Sequence, residues 1–425
     1  MTDNGLTRTV LDNGLTVVVR PMHHAPVASL WMWFRVGSRN EIPGITGISH
    51  WIEHIMFKGS PKFPMGAMDR LLSREGGYNN AMTWLDWTAY YQTLPAHRVD
   101  LALDIEADRI VDALFDPQEV EAERTVIISE RQGNENRPTF RLDEALQSAA
   151  FRVHPYHHEV IGDMCDLKTM TRDDLYTYYR RYYAPNNAIV IVAGDVDAAE
   201  TLEMVEGLFG SLPSASPPPE ITREEPEQEG ERRVIVEGEG TTAYVVLAFH
   251  APRATDPDFF PCLALDAVLS GVRSLSPFGG GGSNKSSRLY KALVETELAA
   301  TASGDLPQTL DPFLYAISAT VRGGRTSQEV EDAIWAQVER IVREPISQEE
   351  MDKAIKQARA QFAYSSESVT SQGFWLGFSE LLGDQDWYSR FVDRLTSVTI
   401  EDIQRVAAQY LTRRSLTVGW YVPVD

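Results

Sequence analysis

The stretch PSASPPPEITREEPEQEGER, from Pro213 to Arg232, constrains the fold of this chain more than any other. Its prolines fix φ and remove backbone donors, and its acidic residues carry no apolar period. Neither a helix nor a core strand can run through it, and it reads as an extended linker. A chain of 425 residues is too long for one ordinary domain. The linker, residues 213–232, divides it into 1–212 and 233–425, two halves of similar size.

The halves look like repeats. LKTMTRDDLYTYYRRYYAPNNAIVIV begins at Leu167, and LTSVTIEDIQRVAAQYLTRRSLTVGW begins at Leu395. Set at one offset, Leu167 aligns with Leu395, Thr171 with Thr399, Asp174 with Asp402 and Tyr182 with Tyr410. Each copy reads as a threonine N-cap, an amphipathic helix, a short break and a strand. A pattern shared over a whole unit points to duplication. GLTVVVRP and ASLWMWFRVGS read as strands in the first half, and TAYVVLAFHA does so in the second. MGAMDRLLSREGG, VDLALDIEADRIVDAL and SQEVEDAIWAQVERIVRE have helical periodicity. Helices outnumber strands and do not alternate with them one for one. The expected class is α+β, with two duplicated α/β sandwich halves, rather than a doubly wound parallel sheet.

Composition narrows the partners. The net charge of −22 repels phosphates, so no nucleic acid is expected, and it favours basic peptides. Two cysteines, Cys165 and Cys262, imply no disulfide framework and fit a reducing compartment. The opening residues MTDNGLTRTVLDNGLTVVV have no basic stretch followed by an apolar core. The longest apolar runs, such as AIVIVAG from Ala188, are strand-sized. Neither a signal peptide nor a membrane span is expected, and the expected compartment is the cytoplasm.

Chemistry concentrates in GISHWIEHIMFKGS, Gly47 to Ser60, where His50, Glu53 and His54 form H-x-x-E-H. No proline falls between Gly44 and Gly59, and Ile48, Trp51, Ile52 and Ile55 can cover one helical face. On such a helix His50 and His54 lie one turn apart on a shared face, the spacing at which two imidazoles bind one zinc ion. Glu53 then projects beside the metal, placed to take a proton from water activated there. Catalytic zinc usually takes a third protein ligand. The best source is EVEAERTVIISERQGNENRP, where Glu123 and Glu130 fall about two helical turns apart on one face and Val126 and Ile127 face a core. An inward carboxylate needs a partner, and a cation supplies one.

With these motifs the sequence resembles the metallopeptidases of the pitrilysin, insulin-degrading enzyme and mitochondrial processing peptidase family, whose inverted zinc motif is H-x-x-E-H. The resemblance spans nearly the whole chain and includes FKGS, HPYHHEVIGD and YYRRYYAPNNAIVIVAGD. It implies Glu130 as the third ligand and Glu123 as the family's second carboxylate. GGYNNAMTWLDWTAYYQTLP, Gly76 to Pro95, reads as a glycine turn entering a strand with Thr83, Trp84, Trp87, Tyr90 and Tyr91. It resembles the family's G-G-x-x-N-A-x-T and D-x-T-x-Y-Y segments. That implies an open sheet edge to which substrate adds as a strand, with Asn80 and Ala81 at the matching positions. The family architecture implies two halves facing one another as a clamshell around a closed chamber, with the linker as hinge. His23, His24, His157 and His158 fit no ligand spacing and read as loop residues.

The second half departs from the family. PCLALDAVLSG stands opposite the H-x-x-E-H segment and holds neither His nor Glu, so no second metal site is expected. Active members carry an Arg and a Tyr that hold the developing oxyanion. Here the matching stretch SSRLYKALVETELAATASG has Val294 and Ala300 at those positions. SPFGGGGSNKSSRLY, Ser276 to Tyr290, lacks the G-K-[ST] of a phosphate loop, and in the family a glycine-rich segment here is linked to substrate entry. The resemblance thus implies a zinc endopeptidase subunit with one Zn2+ per chain, cleaving unfolded or small peptides. A paralogous partner would supply the Arg and Tyr in a heterodimer. The alternatives are a non-catalytic peptide-binding or structural subunit, and a self-sufficient homodimer.

Overall fold

The computed structural model describes residues 5–278 and 285–424. The expected glycine loop at 279–282 lies outside the described residues. In chain order, β1 is Thr7–Val10, β2 Thr16–Pro21, β3 Val27–Phe34, α1 Ile48–Ile55 and α2 Ala67–Arg74. They are followed by β4 Tyr78–Thr83, β5 Thr88–Pro95, α3 Val99–Asp112, α4 Pro117–Glu135 and α5 Pro138–Ala150. Next are α6 Met164–Thr169, α7 Arg172–Tyr182, β6 Ala188–Gly194, α8 Ala198–Phe209, β7 Arg232–Glu239 and β8 Tyr244–Ala251. Then come α9 Phe259–Leu269, β9 Ala299–Asp305, β10 Phe313–Val321, α10 Ser327–Arg343 and α11 Gln348–Ser365. The chain ends with α12 Val369–Leu382, α13 Phe391–Thr396, α14 Ile400–Tyr410 and β11 Leu416–Val424. The class is α+β: helices pack on two largely antiparallel sheets.

The fold forms two compact units, each with one sheet. Unit 1 comprises Met1–Gln132, His158–Thr222 and Ser366–Gln385, and unit 2 comprises Gly133–His157, Arg223–Ser365 and Asp386–Asp425. In unit 1 the strand order is β1-β2-β6-β3-β5-β4. Only β2 and β6 run parallel there; the other pairs are antiparallel. In unit 2 the order is β7-β11-β8-β10-β9, with β7 and β11 as the parallel pair. The second order repeats the first without β1. The capping threonines repeat too: Thr171 exchanges hydrogen bonds with Asp174 ahead of α7, and Thr399 does so with Asp402 ahead of α14.

Each sheet is covered on one face by a helix from the other half of the sequence. Strand alternation turns Trp31 and Trp33 of β3 to one face of unit 1, where they are fully buried. There α12 lies flush on them through Gly373 and Gly377. A Cβ at Gly377 would fall 2.2 Å from the Trp33 indole nitrogen, and one at Gly373 2.3 Å from Trp31 Cδ1. Glu380 of α12 is fixed by Arg8, whose Nε donates to Oε1 at 2.8 Å. In unit 2, Leu142 and Leu146 of α5 approach β11 at Gly419, and Arg141 donates to the Glu237 carbonyl at 3.1 Å.

Most expected elements form where the pattern places them, with two departures. The segment from Tyr78 to Pro95 is a hairpin, β4 and β5, rather than one strand. The break falls where the Trp84 N–H donates to the Trp87 carbonyl at 2.8 Å, and where Asp86 turns in to the Arg39 guanidinium at 3.5 Å. On α4, Ile127 faces the core as expected, but Val126 is 49% exposed. Successive residues are rotated by about 100°, and the part of α4 covered by the core is narrow enough to include Ile127 and leave Val126 outside it. Residues 213–230 have no regular secondary structure. They are held at Ala215, whose N–H donates to Asn186, at Glu225, which accepts from the N–H groups of Arg152, Val153 and His154, and at Gln228, which donates to the Leu416 carbonyl. Among the described residues no helix is long and apolar enough to cross a membrane.

Candidate metal centre

Helix α1 carries the H-x-x-E-H segment, and its start is tied down. Gly47 precedes it with φ 86°, and a Cβ there would meet the Ile161 carbonyl oxygen at 2.4 Å, so glycine is required. The two oxygens of Glu41 accept from the N–H groups of Gly47 and Ser49, at 2.7 and 2.9 Å. Burial pushes the Glu41 carboxyl up to about 8, against those bonds. Ile48, Trp51, Ile52 and Ile55 are fully buried. The polar face holding His50, Glu53 and His54 is thereby turned outward from the core.

Helix α4 brings the carboxylates. His54 Nδ1 donates to Glu123 Oε1 at 2.7 Å, and Lys58 Nζ lies 2.5 Å from Glu123 Oε2. Glu123 is 5% exposed. Burial raises its pKa, but His54 and Lys58 outweigh that and leave it below the usual carboxylate range. About two turns along, Glu130 stays largely in solvent, its side chain 44% exposed. Its Oε2 lies 3.8 Å from both His50 Nε2 and His54 Nε2, which are 3.2 Å from each other. Among the described residues this is the one group of three or more His, Cys, Asp or Glu whose ligand atoms converge closely enough to hold a metal ion.

The donor set fits a tetrahedral ion. Atoms bound at about 2.0–2.2 Å to one such ion sit about 3.3–3.5 Å apart, close to the three separations observed. The bond to Glu123 fixes the proton on His54 Nδ1 and leaves the lone pair on Nε2. Burial holds the His50 imidazole neutral, its pKa pushed down to about 3. Two imidazole nitrogens and a carboxylate oxygen then face one point. Burial also lowers the pKa of His54, but the surrounding carboxylates Glu123, Glu53 and Glu130 reverse this and leave it raised. The cluster favours a positive charge at its centre.

Glu53 lies beside this group. Its Oε2 accepts from the Thr83 hydroxyl at 2.6 Å. Burial raises its pKa, with the Thr83 bond opposing. Asn80 and Ala81 lie on β4, the edge strand of the sheet. The Ala81 N–H donates to Asn80 Oδ1 at 2.9 Å, and neither residue belongs to the three-ligand group. Thr83 and Lys58 were not singled out for a role from the sequence. Their signals were their places in the N-A-x-T segment and in FKGS. Of the histidines read as loop residues, His23 Nδ1 pairs with Asp195 at 2.7 Å and His158 is buried 3.9 Å from Glu41.

In unit 2 the positions expected for Arg and Tyr are Val294, in a short π-helical turn Tyr290–Val294, and Ala300, in β9. The flanking candidates are engaged. Arg288 forks onto Glu350 at 2.8 and 3.0 Å, Arg322 lies 3.3 Å from Glu297, and the buried Tyr315 donates to Asp266 at 2.9 Å.

Comparison with known proteins gives the family. Residues 16–164 match the family model described as insulinase, peptidase family M16. Residues 169–358 match the model described as peptidase M16 inactive domain. The chain is 29% identical to a Helicobacter pylori protein named zinc protease PqqE, over 97% of this chain and 92% of that one. It is 25% identical to the mitochondrial-processing peptidase subunit beta of Lentinula edodes, over 98% and 90%. The crystal structure of a protease from Helicobacter pylori superposes with a TM-score of 0.93 at 28% identity, covering 99% of this chain and 100% of that one. The fold, the convergent donor set and the two matched domains make this chain a member of peptidase family M16.

Proposed function

We propose that the chain is a zinc-dependent endopeptidase subunit that binds one Zn2+ through His50, His54 and Glu130 and cleaves unfolded or small peptides. The observation that carries the reading is the convergence of two imidazole nitrogens and a carboxylate oxygen on one point, with Glu53 on the same helix. When bound, zinc polarises water and the scissile carbonyl. Substrate adds as a strand to the β4 edge at Asn80 and Ala81, which holds the scissile bond in register with α1. Glu53 takes a proton from the attacking water and delivers it to the amine nitrogen as the C–N bond breaks. Glu123 holds the His54 Nδ1 proton and so keeps the Nε2 lone pair directed at the ion. The net charge of −22 favours substrates with basic segments.

Val294 and Ala300 bear on how the site is completed. Neither side chain can donate to an oxyanion, so a paralogous partner supplying Arg and Tyr completes the enzyme. The same two residues favour a second reading, a subunit that binds peptide without turning it over. The retained Glu53 opposes it, because a scaffold needs no base. Zinc-loaded chain, alone and with a paralogous partner, should be tested on a library of quenched fluorescent peptides. Cleavage that Glu53→Gln lowers by at least about a hundredfold, with zinc still bound, is the expected result. Equal cleavage by the variant contradicts the mechanism. No cleavage under either condition favours the binding subunit.

A further inference from the structure

We propose that Thr83 is a positioning residue that fixes the Glu53 carboxylate through its hydroxyl, and so ties the substrate-binding edge strand to the general base. The inference rests on the reading of Glu53 as that base. The Thr83 hydroxyl donates to Glu53 Oε2 at 2.6 Å, a short charge-assisted bond. Helix α1 fixes only the Glu53 backbone, and three side-chain torsions remain to be set. The Thr83 hydroxyl stands at the paired end of a strand. Thr83 pairs with Thr88 as the last rung of the β4–β5 ladder, and the hairpin turn closes directly after it through the Trp84 and Trp87 backbone. The backbone N–H of Thr83 also acts on the same carboxylate, so one residue steadies it twice.

The geometry also gives the edge strand a second task. Asn80 and Ala81 lie on the same short strand as Thr83. A peptide that pairs along β4 rigidifies the backbone carrying the hydroxyl, and so sharpens the placement of Glu53. Among the described residues unit 2 has no counterpart. Its edge strand β9 ends in Gly304 and Asp305, and the matching helix α9 carries no glutamate.

The test compares Thr83→Val, which keeps shape and loses the hydroxyl, with Thr83→Ser, which keeps the hydroxyl. In the assembly that cleaves, Thr83→Val should lower kcat by about tenfold to a hundredfold with KM and zinc content unchanged. Thr83→Ser should restore kcat to within about threefold of wild type. A kcat equal to wild type in Thr83→Val overturns the proposal, and so does equal loss in both variants. A readout independent of turnover is a double-mutant cycle of Thr83→Val and Glu53→Ala, each of which removes one partner of the bond, in urea unfolding of the zinc-loaded protein. The expected coupling is about tenfold in the unfolding constant, and no coupling overturns the proposal. Absence of cleavage by wild type with coupling intact refutes the peptidase reading instead, and leaves the Thr83 contact established as the determinant of the Glu53 conformation.

Discussion

The two units repeat one plan and spend it differently. Both use an antiparallel sheet with one parallel pair, a helix behind the second central strand, and a threonine-capped helix leading into the final strand. In unit 1 the helix after β3 carries His50, Glu53 and His54, and its two imidazoles converge with Glu130 of α4 on one point. In unit 2 the helix after β8 is α9, apolar almost throughout and buried along its length. Its one carboxylate, Asp266, is sealed in, accepting from Ser270 at 2.6 Å and Tyr315 at 2.9 Å. The same scaffold position can therefore hold a polar, open cluster or a closed core helix. The difference begins in the helix itself, which carries H-x-x-E-H in α1 and neither His nor Glu in α9, and α4 adds its carboxylates in unit 1.

The sharpest contrast in energy concerns Asp266. Burial raises its pKa to about 6, with Asp305 adding to the shift, Ser270 and Tyr315 opposing it by donating hydrogen bonds, and Arg273 opposing it by charge. A carboxyl raised in the folded state stabilises the fold fully below its unfolded value, and that stability is lost as pH rises through the folded value. The loss between about pH 4 and 7 should approach about 3 kcal/mol. Asp266→Asn should flatten that part of the urea-unfolding profile. A profile unchanged by the substitution breaks the claim that burial raises the pKa of this group.

A smaller effect separates the exchanged helices. At Gly377 an added methyl meets the buried Trp33 ring at 2.2 Å, whereas at Gly419 it meets flexible leucine methyls at 2.9 and 3.0 Å. Gly377→Ala should destabilise by about 1–3 kcal/mol and Gly419→Ala by under about 1 kcal/mol, read as shifts in urea midpoint. Equal costs would show that the two helix–sheet contacts are equally tight.

What the sequence makes legible is what local spacing determines. Thr171 with Asp174 and Thr399 with Asp402 are three residues apart, so both capping boxes, and with them the duplication, can be read from the chain. His50 and His54 share a face for the same reason. The exchange of α5 and α12 is not legible, because an apolar helical stripe does not say which sheet it covers. Val126 shows the same limit, since an adjacent apolar pair does not say which of its members the core covers. The hairpin break after Thr83 depends on Asp86 finding Arg39, a contact across the fold. The Thr83–Glu53 bond is hidden for that reason too: its partners are joined by the docking of β4 beside α1.

The most direct test of the account is the zinc content of the purified chain by inductively coupled plasma mass spectrometry, for wild type, His54→Ala and Cys262→Ser. A single site in unit 1 predicts one zinc per chain in wild type and in Cys262→Ser, and none in His54→Ala. Zinc retained by His54→Ala, or two per wild-type chain, would contradict it.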